Sequence, residues 1–209
     1  MTSRLLVAAL SAVSTLAPAL AFAPPASSAP PVSVFRVEDP RGDVTITDRE
    51  GPNPYRRKSI DLTEVRASLV DEETAMEPGV RFTFRIRLVT EPSHMVQRID
   101  VSLTDADPDS PDVDGTIIVT LQDSRTLAYA GVSTENESAE IACMLGRPSV
   151  VKPRGLVKVF VPADCLPPGQ LSVRARASTV GPEGGPEGAF SRDTVRVPGV
   201  YDLGGIAGK

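Results

Sequence analysis

Between Val80 and Leu88 every second residue is apolar: Val80, Phe82, Phe84, Ile86 and Leu88 alternate with Arg81, Thr83, Arg85 and Arg87. A period of two sends successive side chains to opposite faces, so this run is a half-buried β-strand whose apolar side needs a second layer to cover it. Upstream, Leu62 to Val70 places Val65, Ala67 and Leu69 on one parity. The polar stretch Asp71 to Gly79 joins the two runs as an antiparallel hairpin. Further strand candidates are Val32 to Val37, Val96 to Leu103, Thr116 to Leu121, Thr126 to Val132, Ala139 to Met144, Leu156 to Val161, Leu171 to Ala177 and Asp193 to Val197. Clusters of Pro, Gly and Asp separate them, and no stretch combines helical period with helical length. Helix is expected only as short turns, near Asp71 to Met76. The fold expected is all-β, an antiparallel β-sandwich of roughly nine or ten strands.

The first residues have a different purpose. Arg4 supplies a positive charge, Leu5 to Leu16 is apolar apart from small hydroxyl residues, Pro18 ends the run, and Ala19 and Ala21 form a small-residue cleavage box. This is the pattern of a secretory signal peptide over residues 1–21, cleaved near Ala21. A retained anchor competes with it, but a span needs about 20 apolar residues and Pro18 cuts this one short. Residues 22–31, rich in Pro, Ala and Ser, then form a linker, residues 32–200 a single sandwich domain, and residues 201–209 a flexible tail. The segment Gly181 to Gly188 is expected to be a mobile loop. No later stretch can cross a membrane as a helix, so the mature chain is expected to be secreted without a transmembrane span.

The formal charge is −5. A nucleic-acid binder needs a basic surface to displace counterions from phosphates, and this composition excludes that class. Cys143 and Cys165 are the only cysteines. In an exported chain such a pair is most economically a disulfide, since one His and no CxxC leave too few soft ligands for a metal.

Three clusters could carry a site. Asp105, Asp107, Asp109, Asp112 and Asp114 crowd one segment, and carboxylates so close are either solvated or shared by a hard cation such as calcium. The spacing departs from an EF-hand, with Ser110 where the turn glycine belongs, and a solvated loop explains the same residues. Asp39 and Asp43 flank the turn Pro40-Arg41-Gly42 and either converge on one cation or cap the turn's amides. The Arg41-Gly42-Asp43 tripeptide is explained by the turn. Arg81, Arg85 and Arg87, with Arg174 and Arg176 on a later strand, would form a guanidinium ladder for a polyanion if their strands share a face. Cross-strand pairing with Asp61, Glu64 and Asp100 would instead neutralise it. Catalytic signals are sparse: His94 is the single histidine, and neither G-x-S-x-G nor H-E-x-x-H is present.

The Asp39-to-Val44 turn, the Ile60-Asp61-Leu62 strand start, the Phe82-to-Ile86 strand and the Val159-to-Leu166 segment together resemble the uncharacterised secreted β-sandwich proteins of actinobacteria. Their fold is similar to the DOMON and family 9 carbohydrate-binding modules. The resemblance implies sugar binding, often with structural calcium, or haem binding. The chain departs from both patterns, having no Trp to stack sugars. For haem, only His94 with Met76 or Met144 is available as an axial pair, because His94 and Met95 point to opposite faces; haem is not expected. The function expected is a non-enzymatic module binding an extracellular or cell-envelope ligand, such as a polysaccharide, with calcium as the cofactor to test. The alternatives are a carboxylate-dependent secreted hydrolase and a structural accessory domain of the envelope.

Overall fold

The computed structural model describes residues 32–46, 60–70, 77–87, 96–106, 113–122, 125–134, 140–180 and 189–207. The signal and linker segments, the Asp71 to Met76 turn, the Gly181 to Gly188 loop and His94 lie outside them.

Among the described residues are twelve strands in two antiparallel sheets. The five-stranded sheet has the order β1 (Ser33–Glu38), β3 (Leu62–Val70), β4 (Gly79–Ile86), β10 (Leu156–Pro162), β9 (Ser149–Val151). The seven-stranded sheet runs β2 (Thr45–Ile46), β12 (Ala189–Tyr201), β11 (Leu171–Val180), β5 (Val96–Asp105), β6 (Val113–Gln122), β7 (Arg125–Thr134), β8 (Glu140–Cys143). Ten strands have four residues or more, and β3 and β4 form the expected hairpin, with Val65 opposite Phe84 and Ala67 opposite Phe82. The two strands that the sequence does not announce are β2 and β9. Two or three residues cannot display an alternation, and their partners β12 and β10 define them.

Alternation becomes burial as expected. On β4, Val80, Phe82, Phe84 and Ile86 are buried, while Arg81, Thr83 and Arg85 are half-buried on the other side. They meet the inward residues of the second sheet, including Ile99, Val101 and Leu103 of β5, Ile117 and Val119 of β6, and the small Ala175 and Ala177 of β11, in one core cluster. Phe82 lies edge-on to Phe35 of β1 at 6.4 Å and stacks with Phe84 at 6.4 Å.

Two features close the sandwich. Cys143, ending β8, is bonded to Cys165, in the 3-10 turn after β10, so the disulfide ties one sheet to the other across a Cα separation of 5.8 Å. The chain end also packs inward, which corrects the expectation of a flexible tail from residue 201. Tyr201 completes β12 with its ring 5.0 Å from Phe35, and Leu203, opening the helical turn Leu203–Ala207, is fully buried in the core. A single leucine in a Gly-rich segment has no periodicity, so nothing in the local pattern announces its burial. Among the described residues no helix is long and apolar enough to cross a membrane.

Candidate functional site

The six residues Asp39 to Val44 carry the chain from one sheet to the other. β1 lies at the edge of the first sheet and β2 at the edge of the second, where it pairs with β12 at Ser191 and Arg192. The reversal uses Pro40, whose ring restricts φ, and Gly42, whose φ of +89° is costly for residues with a Cβ. The Gly42 N–H donates to both carboxylate oxygens of Asp61, at 3.2 and 3.1 Å, and the Asp39 N–H donates to the Thr63 carbonyl at 3.2 Å. The turn is therefore docked on the start of β3.

This docking gathers acids. Asp39, Asp43 and Asp193 each place a carboxylate oxygen within 4.8 Å of those of the others. Asp61, only 1% exposed and bonded to Gly42, borders the cluster closely enough for its charge to act on Asp39. Asp193, 4% exposed, reaches across from β12, and its Oδ2 accepts the Leu62 N–H at 2.7 Å. Among the described residues one guanidinium touches the group, that of Arg87, whose Nη1 is 3.5 Å from Asp61 Oδ2. The Asp39 Oδ2 is buried and accepts no hydrogen bond.

Like charges in a partly dry pocket disfavour ionisation. Burial, and then the charges of Asp43 and Asp61, push the Asp39 carboxyl from 3.8 up to about 6. Burial, with the charges of Asp43 and Asp39, likewise raises Asp193 to about 6, against the lowering effect of the amide bonds from Leu62 and Thr194. A cation shared by these oxygens would remove both penalties. Two ligands about 2.4 Å from a calcium ion lie at most about 4.8 Å apart, so the three-acid cluster has dimensions that a hard cation can bridge.

The two aspartates read from the turn are thus brought together, while Asp61 and Asp193 join them from elsewhere. Asp193 has a signal in the sequence: it shares the parity of Val195 and Val197, and a carboxylate on the apolar side of a strand demands a partner. The other acidic segment is divided. Asp105 ends β5 opposite Leu171, Asp114 lies on β6 opposite Ser133, and Asp107, Asp109 and Asp112 are outside the described residues.

The arginines do not form one ladder. Arg81, Arg85 and Arg87 belong to β4 and its end in the five-stranded sheet, whereas Arg174 and Arg176 are on β11 in the other. Carboxylates meet several of them: Arg85 lies 3.6 Å from Glu64, Arg87 3.5 Å from Asp61, and Arg176 3.4 Å from Asp100, which also binds Arg98 at 2.6 Å.

Comparison with known proteins adds no relative: no family model, no curated protein and no solved structure matches the chain.

Proposed function

We propose that this chain is a secreted, non-enzymatic binding module in which a calcium ion held by Asp39, Asp43 and Asp193, beside Asp61, pins the β1–β2 crossover to β3 and β12. The observation that carries the reading is the buried Asp39 Oδ2, which has no donor, on a residue whose carboxylate clusters with those of Asp43 and Asp193. A buried acceptor without a partner costs free energy, and oxygen-only ligands suit a hard cation. The ion would neutralise acids that otherwise repel and so hold the sheets in register around the turn. Export follows from the signal-like first 21 residues, and the binding role from the resemblance to DOMON and family 9 modules.

Thermal unfolding in EDTA and in millimolar calcium tests it. A ligand bound only by the native state adds RT ln(1 + [L]/Kd), about 2.7 kcal/mol at a hundredfold excess over Kd. A rise in Tm that disappears in Asp39→Asn and Asp43→Asn supports the site. Identical melting in both buffers refutes it.

A second reading has a specific observation behind it: two neighbouring carboxyls raised to about 6 also suit general acid and base chemistry. A hydrolase would release reducing sugar from cell-wall glycan and lose that activity in Asp39→Asn.

A further inference from the structure

The outer face of the seven-stranded sheet holds a groove of about 610 Å³ whose lining includes Ser102, Thr104, Thr116, Ser172, Arg174 and Arg196, together with Val173 and Val197. Its residues come into line through strand register. Thr116 on β6 lies opposite Ser102 on β5, Ser102 opposite Arg174 on β11, and Arg174 opposite Arg196 on β12, so one row crosses four strands. In the next row Thr104 lies opposite Ser172. The concavity has a cause in β12. Between the pairs Ser172↔Val200 and Arg174↔Arg196, β11 advances two residues while β12 advances four, and the excess forms a bulge at Pro198 and Gly199. Gly199 takes φ +91°, and the Tyr201 hydroxyl donates to the Pro198 carbonyl at 2.6 Å, fastening the bulge beside the groove. Bulges bend a strand and re-aim its side chains, and they recur next to binding sites.

Two guanidinium groups directly opposite each other on neighbouring strands repel. Arg98 and Arg176 on the same face are relieved by Asp100, but among the described residues no carboxylate meets Arg174 or Arg196. Both are exposed. An oxyanion between them would turn the repulsion into two charge-assisted contacts. The four hydroxyl residues of the lining suit a polyhydroxylated ligand. Three of the four strands, β5, β6 and β11, are hydrogen-bonded on both sides and leave no backbone edge for a peptide to extend. The chain is net negative, so attraction of a polyanion has to be local.

We infer that this groove binds an acidic polysaccharide, one carboxylate or sulfate of which bridges Arg174 and Arg196 while Ser102, Thr104, Thr116 and Ser172 bond the sugar hydroxyls. The inference names a ligand class for the binding module proposed above and rests on that reading, but its residues are separate from the acidic pocket.

The test is isothermal titration of the full oxidised chain with polygalacturonate, dextran sulfate, neutral dextran and polyglutamate, in EDTA and in calcium. Binding to polygalacturonate or dextran sulfate, without binding to dextran, is expected, and whichever binds tighter identifies the anionic group. Arg174→Ser with Arg196→Ser should weaken it about tenfold for each guanidinium, whereas the charge-matched Arg147→Ser with Arg154→Ser, at exposed sites elsewhere, should not. Equal loss in both pairs, retention by the Arg174/Arg196 variant, or no preference of the wild type for either acidic glycan overturns the inference. Polyglutamate binding as tightly as the glycans also overturns it, since a peptide would then serve. Glycan binding without a calcium effect on Tm refutes the cation site alone, and a calcium effect without glycan binding refutes the groove alone.

Discussion

Asp193 accepts the backbone N–H of Leu62 at 2.7 Å, joining β12 of one sheet to the start of β3 in the other across 131 positions of sequence. The carboxylate thus has two tasks, satisfying a buried amide and completing a cluster of acids. The tasks separate by mutation. Asp193→Ala leaves the Leu62 N–H without its acceptor and is expected to cost about 1–3 kcal/mol in urea unfolding. Asp193→Asn keeps an acceptor and removes a charge that the metal-free pocket disfavours, so in EDTA its stability should match or exceed the wild type. Both variants should lose the response to calcium.

The acidic pocket also sets a pH dependence. Asp39 and Asp193 have folded pKa values of about 6, above the ordinary 3.8, so protons bind the folded state more tightly than the unfolded one. Their contribution is fully present below 3.8 and is lost as pH rises through about 6. Urea unfolding in EDTA at intervals between pH 4 and pH 7 should show the wild type falling relative to Asp39→Asn/Asp193→Asn over that window. A parallel course of the two proteins would contradict the buried-acid account.

The disulfide closes a loop of 22 positions between the sheets. In the chain-entropy account its removal releases about 3.4 kcal/mol of constraint from the unfolded ensemble. Cys143→Ser with Cys165→Ser should lower the urea midpoint by that order, with little change in far-ultraviolet circular dichroism at low denaturant.

Leu203 tests whether the chain end belongs to the fold. It is fully buried beside the 3-10 turn at Cys165, so Leu203→Ala is expected to cost about 2–4 kcal/mol. A frayed tail would tolerate the change within a few tenths of a kcal/mol. Equilibrium denaturation distinguishes the two.

The legibility of the fold differed from that of the sites for a physical reason. Alternation is a local property, and in β4 it places Phe82 and Phe84 in the core and Arg81 and Arg85 outside it, whatever the rest of the chain does. Turn chemistry is local too, which is why Asp39 and Asp43 stand out around Pro40 and Gly42. Asp61 is legible as an arginine partner, and its 3.5 Å approach to Arg87 agrees, but its second use as acceptor for Gly42 requires the turn to fold back onto β3.

What the sequence by itself determined is therefore the class of structure: strands of alternating faces, a cysteine pair able to bridge them, and an acidic turn between the first two strands. Only the tertiary structure decided which acids share a pocket and which arginines stand opposite one another. Asp193 reaches Asp39 because the two sheets pack face to face, and Arg174 meets Arg196 because β11 and β12 pair in one register. Packing and register are relations between distant segments, set by how the whole core closes, and neither is contained in the spacing of residues along any one strand.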